Sequence, residues 1–436
     1  MHDPRLRHLI PYAHGFAPVT IRRAAGCWIE DVSGRRILDF TSGQICSTVG
    51  HNHPRITAAI SSCFEGALHL NSWILSEPVL ELAARLARLA PEPLDRSILL
   101  NTGAESNEFA LKLARLYTGR FEVLGLARSF HGLMAGALSV TFQPGPRAGY
   151  GPLLPGALAL PAPYAYRCPI RHCQGRCDCT CLEVGFEMVD QQSVGRPAAL
   201  IAEPVLSSGG VVVPPAGYLR RLRKLCDERG ILLVLDEAQT GLGRLGVRFG
   251  FESDGIVPDL LTLSKSLGGG IPLAATITSG EIADACVEKG LYHVTSHVSD
   301  PLPAQVGLAV LDVIEEEGLV DKARRRGEYL MARLRELQER HEQVGDVRGR
   351  GLLVAVELVW DRETKAPATD LGREVTADAL QRGLSVNVAR SGSTANCLRM
   401  APPLSISEAE IDTGIEILDE SLTSVLGVAG SSKGLR

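Results

Sequence analysis

Short, unbroken apolar runs alternate with amphipathic stretches through the middle of this chain, and that pattern admits few folds. AALIAEP, ILLVLDE and LLTLSK are apolar over consecutive residues, as strands are when a sheet is covered on both faces. Among them, PVLELAARLARLA and GYLRRLRKLCDERG carry apolar residues at three-and-four spacing, which predicts amphipathic helices. RSILLN and FEVLGL read as further strands, and AESNEFALKLARLYTG as a helix stopped by glycine. The alternation predicts an α/β chain with a large, doubly wound, mainly parallel sheet.

The flanks have different patterns. GCWIEDVSGRRILDF alternates around a Ser-Gly turn and predicts a small antiparallel sheet. After the helical stretch LVDKARRRGEYLMARLRELQERH, the runs DVRGRGLLVAVELV and CLRMAPPLSIS predict strands of a smaller α+β domain. The expected division is an N-terminal segment with the small sheet over 1–53, a large domain over 54–315 and a C-terminal domain over 316–436. The final AGSSKGLR is small and polar and is expected to fray. A chain of 436 residues, 45% hydrophobic and 22% charged, supplies core enough for two or three such units.

A net charge of -5 and a pI near 6.2 give no attraction for nucleic acid or an anionic membrane. The apolar runs are too short to span a bilayer. MHDPRLRHLIPYAHGF lacks the apolar run of a signal peptide, so a cytoplasmic location is the default expectation. Of eleven cysteines, Cys27, Cys46, Cys63, Cys226, Cys286 and Cys397 are scattered singly among apolar neighbours, as reduced thiols are.

Chemistry enters at the ends of the strands. ILLVLDEAQTGLGR delivers Asp236 to the C-terminal end of an apolar strand, where open α/β sheets place their ligands. PDLLTLSKSLGGG delivers Lys265 to the end of another, followed by Gly268 to Gly270, which let backbone approach a ligand closely. Either residue alone could cap a loop or sit solvated on the surface. Together they suit pyridoxal phosphate (PLP), which takes a lysine as its Schiff-base partner and an acid for its pyridinium nitrogen. In NTGAESNE, a strand runs into Gly103 and a helix starts at once, so backbone N–H groups and the helix dipole could hold a phosphate. Taken alone, that segment could equally be a capped helix.

TGAESNE, SFHG, AEPVLSSGG, LDEAQTGLGR, LSKSLGGG and HVSDP, in this order, resemble the class III aminotransferases of PLP fold type I. Within that family, LDFTSGQ, LLNTGAESNE, IAEPVLSSGG, LLTLSKSLGGGIPLAA, TSHVSDPLPA, GDVRGRGLL and RMAPPLS are similar to the 2,2-dialkylglycine decarboxylases over nearly the whole chain. The resemblance implies that Lys265 is the Schiff-base lysine and proton carrier, and that Asp236 pairs with the pyridine nitrogen. It implies that Gln239 bonds the ring hydroxyl and that Gly103 and Ala104 hold the phosphate. His131 falls beside the ring, and Phe130 stands where those decarboxylases have a stacking tryptophan. Ser296 stands where they have a threonine that reaches the phosphate from the partner subunit. A homodimer with shared active sites is therefore implied, and pairing of dimers into a tetramer stays open.

Two positions point, by the same resemblance, to decarboxylation. Relatives acting on ω-amino groups carry a glutamate in a QGEGG-like segment, and it neutralises an arginine of the small domain. Here the segment is LSSGG, with Ser208 at that place, which leaves Arg399 of CLRMAPP for a substrate carboxylate or for an acid elsewhere in the chain. Gln44 in FTSGQ matches the residue that holds the departing carboxylate, and Ile45 replaces a methionine beside it. The implied reaction converts a 2,2-dialkylglycine such as 2-aminoisobutyrate or isovaline to a ketone and carbon dioxide. The amino group then passes to pyruvate and gives L-alanine. A non-decarboxylating aminotransferase, an amino-acid racemase and a catalytically silent PLP-binding protein are the alternatives.

The same similarity implies a potassium site at Leu70, Ser72, Ser296, Val298 and Asp300. A second cation site would fall at Ala87, Ala90, Pro91 and Leu94, but Ala90 replaces a threonine ligand there. CPIRHCQGRCDCTC departs from the family. Its Cys168, His172, Cys173, Cys177, Cys179 and Cys181 could hold zinc, but the irregular spacing favours a surface loop of reduced thiols.

Overall fold

In a computed structural model the apolar runs become strands, and each strand end is set by its neighbours in sequence. The structure describes residues 4–12, 16–170, 177–388 and 396–433. Near the N-terminus β1 (Ile21–Ala25), β2 (Trp28–Asp31) and β3 (Arg36–Asp39) form the expected antiparallel meander. Then come β4 (Leu94–Leu100), β5 (Val123–Leu126), β6 (Ala157–Leu160), β7 (Ala199–Ala202), β8 (Leu232–Asp236), β9 (Leu260–Leu263) and β10 (Ala274–Ser279). Beyond these lie β11 (Val344–Arg350), β12 (Leu353–Leu358), β13 (Leu384–Ser385), β14 (Asn387–Val388) and β15 (Cys397–Met400).

Strands β4 to β10 make one seven-stranded sheet in the order β4-β10-β9-β8-β7-β5-β6. Every adjacent pair is parallel except the two that involve β10, which is antiparallel to both β4 and β9. All residues of β5, β7 and β9 are buried, because helices cover both faces. This is the α/β, fold type I arrangement that the sequence predicts. The helix Gly103–Thr118 packs on β9 and β10, Tyr218–Arg229 on β8 and Thr180–Gln192 on β6. Gly103–Thr118 starts on a capping box, Thr102 with Glu105, and stops at Gly119, whose φ of 68° suits a residue without a side chain.

A four-stranded antiparallel sheet, β11-β12-β15-β14, lies toward the C-terminus, with the helix Leu319–Arg340 packed against β11 and β12. One strand from this part of the chain crosses to the N-terminal meander. β13 pairs in parallel with β3, Leu384 opposite Leu38 and Ser385 opposite Asp39. The contact continues through Ala401 N–H to the Phe40 carbonyl at 2.7 Å and Leu404 N–H to the Thr48 carbonyl at 2.8 Å. Of the eight residues expected to fray, 429–433 belong to the helix Glu408–Lys433. Residues 434–436 lie outside those described.

Candidate functional site

The parallel strands bring their C-terminal ends to one edge of the large sheet. Asp236 is the last residue of β8 and lies opposite Thr262 of β9, so Lys265, three residues further on, arrives beside it. Lys265 has φ of 41°, a left-handed backbone conformation that costs a residue with a Cβ about 1–2 kcal/mol and is found where function demands it. Gly103, at the start of its helix, is pressed close: a Cβ there would stand 2.8 Å from Ser264 Oγ.

These residues line a cleft of about 150 Å³ together with Ala104, Phe130, His131, Glu203 and Gln239. Asp236 is 4% exposed. Its Oδ2 accepts from Asn107 Nδ2 at 2.8 Å and faces His131 Nδ1 at 2.9 Å, and its Oδ1 accepts from Ala238 N–H at 3.0 Å. Burial pushes the carboxyl up, but the bond and charge of His131, together with Lys265, hold it below the ordinary range. Burial lowers the Lys265 ammonium, which Asp236 partly opposes. Glu203, between β7 and the next hairpin, accepts from the N–H groups of Phe130 and Ser207, and burial pushes its carboxyl up to about 7.

The donor set fits a ring cofactor that carries a phosphate. His131 Nε2 and Ser264 Oγ are buried without a hydrogen-bond partner, which is costly unless a ligand satisfies them. The capped helix start at Gly103 and Ala104 offers N–H groups to an anion.

A second concavity adjoins this one, lined by Thr41, Gln44, Ile45, Asn387, Arg399 and Ala401. Arg399 connects the two, since its Nη1 donates to Gln239 Oε1 at 3.1 Å, to Ser208 Oγ at 3.2 Å and to Ser207 Oγ at 3.3 Å. Among the described residues it makes no ion pair. Burial lowers this guanidinium to about 10, with distant help from the Glu203 charge in retaining its proton. Gln239 thus bonds the serines and the arginine while it lines the cleft. Ile45 has φ of 64° and is 2% exposed, its side chain packed with Val205, Leu353 and Ala401.

The remaining sequence expectations fall elsewhere. Ser296 is exposed and is not among the residues that line the cleft of its own chain. Of the expected potassium ligands, Ser72 Oγ donates to the Thr295 carbonyl at 3.0 Å, Val298 is buried, and Asp300 receives His69 and His297. At the expected second cation site the Pro91 carbonyl accepts from Leu94 N–H at 3.0 Å, and Ala87 and Ala90 lie at the end of the helix Glu77–Leu89. His172 and Cys173 lie outside the described residues. In the same segment Cys181 is buried, and burial pushes its thiol up to about 12.

Several participants escape the sequence reading: Asn107, Glu203, Ser207 and Asn387. Asn107 could have been found, because it follows Gly103 by one helical turn and so shares its face. Nothing near Asn387 in sequence marks it.

A family model described as aminotransferase class-III matches residues 11–422. The chain is 45% identical over 418 residues to an uncharacterised aminotransferase of Schizosaccharomyces pombe, covering 96% of this chain and 93% of that protein. It is 36% identical to a leucine/methionine racemase of Thermococcus litoralis, with 94% and 92% covered. Among solved structures, a thermostable (S)-enantioselective omega-transaminase from Thermomicrobium roseum superposes with a TM-score of 0.88 at 35% identity, covering 98% of this chain and 96% of that one.

Proposed function

The chain belongs to the class III aminotransferases, and from that membership we propose that it is a PLP-dependent, decarboxylating transaminase of 2,2-dialkylglycines. The observation that carries this is Arg399, half-buried beside the cofactor cleft with Ser207, Ser208 and Gln239 as its partners. A half-buried guanidinium that, among the described residues, is held by neutral groups is a receptor for a carboxylate, which it can take by two parallel bonds. Gln44 lines the same concavity and supplies an amide for the one carboxylate of a dialkylglycine, which leaves Arg399 for the carboxylate of alanine or pyruvate in the amino-transfer half.

Pyridoxal phosphate supplies an electron sink for whichever bond at the α-carbon stands perpendicular to its ring. The protein decides which bond that is. Gln44 orients the carboxylate to be lost, Arg399 holds the carboxylate of alanine or pyruvate in the amino-transfer half, and Asp236 holds the proton on the ring nitrogen. Lys265 then delivers a proton to the carbon that has lost carbon dioxide. Gly103, Ala104, Phe130, His131 and Gln239 position the ring and phosphate. A substrate with two alkyl groups has no α-hydrogen, so decarboxylation is its only entry to this chemistry. Pyruvate is the acceptor of the amino group in this reading and leaves as L-alanine.

A homodimer is part of the proposal. Trp73, Ile74, Leu75 and Tyr292 are 75%, 59%, 64% and 71% exposed, and Ser72 bonds Thr295 across this face. A partner covering that face would receive Ser296 near its own phosphate site. Potassium belongs to the proposal through the oxygens of Leu70, Ser72, Ser296, Val298 and Asp300.

Mixed with 2-aminoisobutyrate and pyruvate, the enzyme is expected to form carbon dioxide, acetone and L-alanine in equal amounts, faster in potassium than in lithium. Gln44→Ala is expected to slow decarboxylation about a hundredfold, and the alanine-to-pyruvate half-reaction far less. Brisk transamination or racemisation of L-alanine or L-leucine, without carbon dioxide from any dialkylglycine, would transfer the assignment to an aminotransferase or racemase. The Thermococcus litoralis relative makes the latter the specific competitor.

A further inference from the structure

Away from the cofactor cleft, one group of side chains is arranged for chemistry that the proposed reaction does not use. His69 lies on the segment before the helix Glu77–Leu89, and His297 on the loop before the helix Pro301–Glu316. They approach one carboxylate from two sides. Nδ1 of His69 is 2.6 Å from Oδ1 of Asp300, and Nδ1 of His297 is 2.6 Å from Oδ2. The rings stand 5.0 Å apart, centroid to centroid. One potential ligand atom from each residue lies within 4.8 Å of the other two, and among the described residues no other such trio of His, Cys, Asp or Glu occurs. Asp300 is 9% exposed and occupies the N-cap position of the helix Pro301–Glu316 without a side-chain capping bond, whereas both imidazoles are exposed on the single chain.

Two imidazole nitrogens and a carboxylate form a donor set for borderline divalent ions such as zinc, cobalt or nickel; alkali ions take oxygen throughout. Ligand bonds of about 2.0–2.2 Å can be reached from the present spacing by small side-chain shifts, and three protein ligands leave positions for water. The single negative charge of Asp300 favours a cation. An imidazole coordinates through a nitrogen that carries no proton, and Nδ1 can take that role while Nε2 carries the proton. The oxygen set around Leu70, Ser72, Ser296 and Val298 is a separate one: it contains neither histidine, and only Asp300 is common to both.

We propose that His69, His297 and Asp300 bind one divalent transition-metal ion. An ion there ties the segment before Glu77–Leu89 to the loop that carries Ser296. The site stands independently of which reaction the enzyme performs.

The test is titration of the PLP-loaded enzyme with cobalt(II) chloride in potassium-free buffer, followed by calorimetry and by the visible bands of the cobalt ion. One ion per chain is expected. Loss of an outer-shell partner alone weakens metal sites by about 10–100-fold, so His69→Ala and His297→Ala should each weaken binding at least about tenfold. The double variant, its fold verified by circular dichroism, should bind none. Absence of saturable binding, or undiminished binding by the double variant, would overturn the proposal. So would displacement of cobalt by an equal concentration of potassium, which would place the ion on oxygens alone.

Discussion

Glu237 and Asp236 are adjacent acids in opposite electrostatic circumstances. Asp236 has His131, Asn107 and Lys265 around it, while Glu237, 2% exposed, has the Thr240 hydroxyl and the N–H groups of Gly250 and Phe251 but, among the described residues, no cation. Burial therefore pushes the Glu237 carboxyl from 4.5 up to about 7. The folded value exceeds the unfolded one, so its stabilising contribution is complete below pH 4.5 and is lost as pH rises through about 7. Glu237→Gln removes that titration and keeps the partners, since a Thr hydroxyl can accept from an amide as readily as it donates. Urea unfolding of the apoenzyme should show the variant gaining on the native protein by up to about 3 kcal/mol between pH 4.5 and pH 8. A constant difference across that range would mean Glu237 stays ionised in the folded state. Residues of this kind also mark what was legible in the sequence. Asp236, Lys265 and Gly103 could be read because each ends a strand or starts a helix. Ser207 and Glu203 could not, because their importance comes from Arg399 and Phe130, which the fold brings from distant parts of the chain.

Among the elements, the hairpin between Leu206 and Val212 is held from outside itself. Its arms are joined by Leu206 N–H to the Val212 carbonyl and the reverse, each 3.1 Å, and its turn by the N–H groups of Gly210 and Val211 on the Ser207 carbonyl at 3.2 and 3.0 Å. Arg348 of β11 grips its tip, donating from Nε at 3.0 Å and Nη2 at 2.6 Å to the Gly210 carbonyl, while its Nη1 meets Glu357 at 2.7 Å. Glu357 of β12 is fully buried and also receives Tyr164 and Arg167. Ser207 and Ser208 are therefore aimed at Arg399 by a clamp in the C-terminal sheet. Arg348→Lys, with one donor point in place of a fork, should raise the amino-acid KM about tenfold and change kcat and PLP affinity little; steady-state rates and cofactor titration separate these. An equal fall in kcat would assign Arg348 to the reacting conformation itself. No sequence pattern announced this clamp. Nor were β6 and β10 read as strands: AATITS in β10 is built of small and hydroxylated residues, so it lacks the apolar run that betrayed β8 and β9, although it is buried between β4 and β9.

At the scale of the whole molecule, the exposed apolar face around Trp73 supplies a test of assembly. Trp73→Glu places a charge where the proposed partner would bury it, so light scattering should show monomers at concentrations where the native chain is dimeric, with most of the activity lost. A fully active dimer would remove this face from the interface. Fold class was legible at this scale because a doubly wound sheet follows from local periodicity; the joining of the two ends of the chain was not, since two-residue strands such as β13 carry no periodic signal. That joining also sets a clock. Ser42 Oγ donates to the Ala401 carbonyl across 359 residues of sequence, and the concavity between Gln44 and Arg399 has walls from both ends of the chain. At about 5–20 residues per second of synthesis, the first wall waits roughly 20–70 s for the second. The cofactor cleft is encoded almost entirely between these dates, so a nascent chain could acquire a place for its coenzyme while it still has nowhere to seat a substrate.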